Sequence, residues 1–107
     1  MIPRSVLTMI GDRWTVPVLS ALGGGVARYS EIHRRIPAVS QKMLTQTLRA
    51  LVLNQLVTRT VYAEVPPRVE YRLSAHGRSL MAALSALELW ASMDDHEIAP
   101  TQVRRSA

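Results

Sequence analysis

From Ser40 to Arg59 the chain reads Ser-Gln-Lys-Met-Leu-Thr-Gln-Thr-Leu-Arg-Ala-Leu-Val-Leu-Asn-Gln-Leu-Val-Thr-Arg, an amphipathic helix that runs directly into a strand. Ser40 supplies an N-cap oxygen just beyond the Pro37 turn, and no Gly or Pro interrupts the helix after it. Leu44, Leu48, Leu51 and Val52 recur on one helical face, with Met43 and Leu56 at its margins, so this side packs on a core. The opposite side carries Gln41, Lys42, Thr45, Gln46 and Arg49. Such side chains can read base edges in a major groove: Gln pairs with adenine, Lys and Arg donate to guanine, and Thr touches the thymine methyl. Polar residues of this kind also simply solvate an exposed helix, so the face alone leaves both readings open.

The surrounding chain narrows the choice. Its 107 residues, 48% of them hydrophobic, make one domain with a modest core. The longest apolar stretch, around Leu80 to Trp90, is broken by Ser85 and Glu88 and is too short for a bilayer. No charged leader with an apolar run and cleavage site opens the sequence, so a cytoplasmic protein without a membrane partner is expected. There is no cysteine, which removes disulfides, thiolate catalysis, the usual structural zinc and thiol redox sensing. The net charge is +5, and between Arg28 and Arg72 bases outnumber acids eight to three. From Ser79 to Ile98 the charged residues are four acids. The basic middle attracts polyanions by releasing their counterions, although charge alone does not choose between nucleic acid, membrane and acidic protein.

Other segments fall around this helix. Pro3 to Ile10 predicts a first short helix stopped at Gly11, and Asp12 is expected to cap a second containing Trp14, Val18, Ala21 and Leu22 on one face, kinked at Pro17. Gly23-Gly24-Gly25 lacks the Gly-Lys-Ser or Gly-Lys-Thr of a phosphate-binding loop and reads as a turn. Ser30 is expected to cap a short helix to Ile36, with Ile32 and Ile36 inward and Glu31, His33, Arg34 and Arg35 toward solvent or phosphate. With the tight Pro37-Ala-Val turn, this makes a helix-turn-helix. Val57–Tyr62 and Val69–Leu73 alternate around the turn Glu64–Arg68, predicting a hairpin with Arg68 at its tip, where a wing meets phosphate or minor groove. Glu64 and Glu70 are then available to pair with Arg68, Arg59 or Arg72.

Ser74 caps the last helix, and Gly77 weakens it near its start. Leu80, Leu84, Leu87 and Ala91 form one stripe, while Met81, Leu89 and Trp90 lie off it. That apolar surface is wider than one intramolecular contact uses, and a dimer interface accounts for it; completion of a small core is the plainer alternative. The fold class is therefore α+β, mostly α: a winged helix-turn-helix with a two-stranded β wing and terminal dimerisation helices. One domain is expected over 1–98, its DNA-binding core at about 12–74 and its dimerisation helices at about 3–11 and 75–97, followed by a flexible tail at 99–107.

The segments Ile10-Gly-Asp-Arg-Trp14, Tyr29-Ser-Glu-Ile32, Ile36-Pro37, Ser40-Gln-Lys-Met-Leu-Thr-Gln46, Leu48-Arg49 and Val65-Pro-Pro-Arg-Val-Glu-Tyr71 resemble the HxlR-type regulators of the MarR-like superfamily, over about Pro3 to Trp90. The resemblance implies a bacterial or archaeal homodimer that binds a palindromic double-stranded operator and represses a neighbouring gene. Ser40, Gln41, Lys42, Thr45, Gln46 and Arg49 match the family's recognition helix, and Arg68 its wing. Many members carry a cysteine just before the first-helix proline, whereas here Ile2 precedes Pro3. Any inducing signal would then be a small molecule or a partner, or there is none. Leu7, Ile10, Trp14, Leu84, Leu87 and Trp90 could line a ligand pocket at the dimer interface, although apolar residues at this spacing more often serve as core.

No catalytic set stands against this reading. His33, His76 and His96 lie far apart, without the paired spacing of a metalloprotease, and neither a metal nor another cofactor is expected. The stronger alternative is a winged helix used as a protein-interaction module, since fold does not fix function. A docking version would favour apolar or acidic residues where Gln41, Lys42, Thr45, Gln46 and Arg49 stand.

Overall fold

The computed structural model of this chain describes residues 1–97; the tail expected at 99–107 lies outside the described residues. The elements are α1 (Arg4–Gly11), α2 (Thr15–Ala21), α3 (Tyr29–Arg35), α4 (Gln41–Leu53), β1 (Val57–Tyr62), β2 (Arg68–Leu73) and α5 (Ala75–Glu97). Val18 and Leu19 of α2, Ile32 of α3, and Leu44, Leu48 and Leu51 of α4 meet in one core. Leu56, Val57 and Leu73 close it at the base of the hairpin, and Leu84 closes it from α5. Thr47 is also buried, on the inner face of α4 where the sequence pattern had marked only aliphatic residues.

Several local expectations change for identifiable reasons. Asp12 does not sit at the N-cap of α2, a position taken by Trp14; its carboxylate instead accepts from the Trp14 backbone N–H (3.0 Å) and folds the α1–α2 turn. Pro17 is the third residue of α2, and the first bond from the N-cap carbonyl goes to Val18 N–H (3.0 Å). Its ring therefore removes no intrahelical bond and supplies no cause for the expected kink. Ser30 lies inside α3, whose N-cap is Arg28; the Arg28 N–H donates to the Glu31 carboxylate (2.9 Å). This is one half of a capping box, because Arg28 offers no side-chain acceptor in return.

The recognition helix does not run directly into the strand. It ends at Leu53, and Gln55 takes a left-handed φ of 63°. Gln55 N–H bonds to the Val52 carbonyl (3.0 Å) and Leu56 N–H to the Leu51 carbonyl (2.9 Å), a Schellman closure with buried Leu51 and Leu56 as its apolar contact. The turn reverses the chain so that Val57 enters the sheet from the core side. Ser74 then ties the ends together: its N–H donates to Leu56 O (3.0 Å), its hydroxyl donates to Gln55 O (2.6 Å), and the same oxygen accepts from Gly77 N–H (3.0 Å) as the N-cap of α5. Gly77 is required by this seam, since a Cβ there would lie 2.0 Å from the Leu56 carbonyl oxygen.

The strands are antiparallel, with Val57 opposite Leu73, Arg59 opposite Tyr71 and Tyr62 opposite Arg68. Alternation places Val57, Arg59, Val61, Val69, Tyr71 and Leu73 on one face, and Thr58, Thr60, Tyr62, Arg68, Glu70 and Arg72 on the other. Ala27 joins as a bridge, exchanging two backbone bonds with Tyr71 (2.9 and 2.8 Å), so the hairpin is fixed to the segment leading into α3.

The terminal helices are largely uncovered. No residue of α1 is buried, although Met9 and Ile10 pack partly on the core. In α5 the buried contact ends at Leu84; Leu87, Leu89, Trp90 and Met93 are 54–65% exposed. The six residues considered as a pocket do not share one environment. Leu84 belongs to the core, Ile10 and Trp14 flank it, and Leu7, Leu87 and Trp90 face solvent. A cleft of about 350 Å3 between α1 and α5 is lined by others, among them Val6, Met9, Leu56, His76 and Leu80.

Candidate nucleic-acid interface

The helix-turn-helix angle is set by a few polar contacts and one plug. Val39 is buried in the turn between α3 and α4, and His33 Nε2 donates to its carbonyl oxygen (2.9 Å). His33 is thus partly buried and engaged in the turn, where the sequence pattern had placed it toward solvent or phosphate. Tyr29, the first residue of α3, donates through its hydroxyl to the Gln41 carbonyl (3.0 Å) and lies 3.4 Å from Thr45 Oγ1. A phenol on one helix therefore fixes the first turn of the next.

Ser40 Oγ accepts from Met43 N–H (3.1 Å), so α4 starts where the sequence placed it. Leu44, Leu48 and Leu51 anchor its inner face, while Gln41, Lys42, Thr45, Gln46 and Arg49 are all exposed on the outer one. With Ser40 they form one continuous polar ridge, and neither Lys42 nor Arg49 is held in an ion pair among the described residues. Both cations are available to an external anion. A rigid helix with a buried apolar face and unneutralised bases outward can be inserted into a major groove without breaking an internal contact.

Arg68 has a different setting. It begins β2, below the Ala63–Pro67 tip, and lies on the hairpin face that also carries Glu70 and Tyr62. Its guanidinium is 3.3 Å from Glu64 Oε1 and 3.9 Å from Glu70 Oε2, and it sits 4.1 Å over the Tyr62 ring. Nε is buried and has no hydrogen-bond partner. The expected pairing of Glu64 and Glu70 is realised with Arg68, and not with Arg59 or Arg72 among the described residues. Phosphate would meet a guanidinium whose charge is already partly answered by Glu64 and Glu70.

Two residues of this surface were not singled out from the sequence. Tyr29 had entered only through the Tyr29-Ser-Glu-Ile32 segment that resembles the family, and its role depends on a contact twelve residues away. Arg59 had been considered only as charge and as a partner for Glu64 or Glu70, yet it shares the inner hairpin face with Tyr71 and lines the cleft beside Arg49. The alternation of β1 carries the signal: Arg59 keeps the phase of buried Val57, which turns it toward the recognition helix.

The HxlR-like helix-turn-helix family matches residues 9–98. An HTH-type transcriptional regulator of Methanothermobacter thermautotrophicus is 51% identical over 84 residues, which are 78% of this chain and 64% of that relative's length. YtcD of Bacillus subtilis, named an HTH-type transcriptional regulator, is 45% identical over 87 residues, covering 81% of this chain and 69% of its own. Among solved structures, diamide-treated YodB from B. subtilis superposes with a TM-score of 0.78 at 36% identity, over 87% of this chain and 94% of that one.

Proposed function

The chain belongs to the HxlR-like helix-turn-helix family of transcriptional regulators, and on that premise we propose that it binds double-stranded DNA sequence-specifically, as a homodimeric repressor of a neighbouring gene. The observation that carries this reading is the outer ridge of α4. Ser40, Gln41, Lys42, Thr45, Gln46 and Arg49 are exposed together on a helix whose other side is locked into the core. Gln41, Gln46, Lys42 and Arg49 supply base-edge hydrogen bonds, Thr45 a methyl contact, and the Ser40 cap orients the helix N-terminus. Arg68 adds a wing contact, weakened by the two carboxylates beside it.

A homodimer is supported by what a single chain leaves uncovered. Leu87, Leu89, Trp90 and Met93 on α5 and Leu7 on α1 are exposed apolar side chains that a second copy would bury. Residues 12–74 then act as the reading unit and the two terminal helices as the dimerising one. Two-fold symmetry sets the recognition helices about 34–36 Å apart and calls for a palindromic operator. None of these 107 residues is a cysteine, so any inducing signal received by them is a small molecule or a partner. The protein acts where the chromosome is, in the cytoplasm.

The test is binding of the purified chain to the intergenic DNA upstream of its own gene and its divergent neighbour, titrated with salt and nonspecific competitor. Competitor-resistant binding, with a stoichiometry of two chains per site, is the expected result. Binding no tighter than to competitor DNA would overturn local repression and favour the protein-interaction alternative.

A further inference from the structure

Tyr29 does more than brace the helix-turn-helix. It is the first residue of α3, half-buried, with its ring packed against the core and 6.3 Å from the His33 ring. His33 is itself bonded to the Val39 carbonyl (2.9 Å), so the phenol rests beside a side chain fixed in the turn. Its hydroxyl meets two oxygens of α4, the Gln41 carbonyl at 3.0 Å and Thr45 Oγ1 at 3.4 Å. A phenol carries a single proton, and a backbone carbonyl only accepts. The Tyr29 proton therefore goes to Gln41, and the longer contact is made by the Thr45 hydroxyl donating to the Tyr29 oxygen.

This direction matters because Thr45 is exposed on the α4 ridge. A threonine carries a hydroxyl and a methyl on the same Cβ, and in a helix it divides between two χ1 rotamers. Drawing Oγ1 to Tyr29 selects one of them and spends the hydroxyl proton inside the protein. A Thr45 so held has no proton to donate to guanine O6 or N7, and the methyl is the part without an internal partner. In the major groove a methyl has one natural counterpart, the C5 methyl of thymine. We propose that Tyr29 is a specificity-determining positioning residue, whose hydroxyl holds that of Thr45 so that Thr45 reads a thymine methyl and not a guanine.

The role rests on the DNA-binding reading and adds to it a residue outside the recognition helix. It differs from simple bracing in what its loss does. A brace that only sets the angle of α4 supports every duplex alike, so removing it lowers affinity for all sequences by a common factor. A phenol that sets the Thr45 rotamer acts at one base pair of each half-site, and its loss changes the preference there.

The test starts from the duplex that the intact protein selects out of a randomised double-stranded library. Each thymine of that duplex is replaced singly by deoxyuridine, which removes only the C5 methyl. At one thymine of each half-site the wild-type protein is expected to lose about fourfold in affinity, the worth of one buried methyl. Thr45→Ser, which keeps the hydroxyl and drops the methyl, should abolish the penalty at that thymine and at no other. Tyr29→Phe keeps the ring and should bind the thymine and uracil duplexes about equally. Adding Thr45→Val to Tyr29→Phe should restore the difference, because valine presents a methyl without a hydroxyl to hold. Each comparison is a ratio within one protein, so a general loss of affinity or stability cancels. A uracil penalty in Tyr29→Phe as large as in wild type, or no thymine whose penalty depends on Thr45, would overturn the role of Tyr29 while leaving DNA binding intact. Failure of the wild-type protein to enrich any duplex would overturn the DNA-binding reading itself, and this role with it.

Discussion

Replacing Gly77 by alanine tests the seam that joins the recognition helix to the last helix. In an unobstructed helix the change stabilises by about 1 kcal/mol, because glycine is a poor helix former. Here the added Cβ would lie 2.0 Å from the Leu56 carbonyl oxygen and 3.0 Å from its carbon. Helix and turn must separate by about 1 Å to restore even the closest contacts real methyl groups make. Such overpacking costs about 1–3 kcal/mol. The displaced atoms also carry the Ser74 N–H bond to Leu56 O (3.0 Å) and the Gly77 N–H bond to Ser74 Oγ (3.0 Å), and losing one of them adds about 1 kcal/mol. Set against the propensity gain, Gly77→Ala is expected to destabilise by about 2 kcal/mol, lowering Tm by roughly 10 °C. Urea and thermal unfolding followed by circular dichroism, at one fixed protein concentration because dimerisation contributes, is the assay. Gly11→Ala is the control: it ends α1 with nothing within 4 Å of the new methyl, so its Tm should be unchanged or slightly higher. A Gly77→Ala protein as stable as wild type would refute the close approach and the coupling built on it.

Gln55→Gly relieves the left-handed residue that closes α4 and should stabilise the fold by about 1 kcal/mol in the same unfolding assay. Lys42→Ala and Arg49→Ala are each expected to weaken specific DNA binding by about 1–3 kcal/mol, read from gel-shift midpoints; unchanged midpoints for both would remove the α4 ridge from the interface. Because Arg68 already holds two carboxylates, Arg68→Ala should reduce the salt slope of binding by less than about one unit, whereas Glu64→Gln should tighten binding to all sequences. Leu87→Glu places a charge on the exposed apolar stripe of α5 and should yield a monomer by sedimentation; an intact dimer would show that this stripe is not the contact.

Sequence patterning was strongest wherever burial repeats with a short period. The α4 core face, the Ser40 cap, both hairpin strands and the polar ridge could be placed from spacing alone, since each depends on residues one to four positions apart. Errors gathered at the joints. Ser30 and Asp12 are good capping residues in general, but the chain enters α3 at Arg28 and α2 at Trp14, and the entry point depends on where the core lets each helix begin. Gly77 read as a local weakness, because the atom that forbids a side chain there comes from Leu56.

The sequence by itself determined the class of fold, the order of its elements and the helix face turned outward, because side-chain hydrophobicity with a 3.6- or two-residue period is already present in the unfolded chain. Tertiary structure decided which cations are free. Arg59 and Arg68 are equivalent as charges on a basic hairpin, yet strand register turns Arg59 toward Arg49 and the cleft, and turns Arg68 onto Glu64, Glu70 and Tyr62. A charge's partners are set by distances across the chain, which exist only once the hairpin has closed and packed beside the helix.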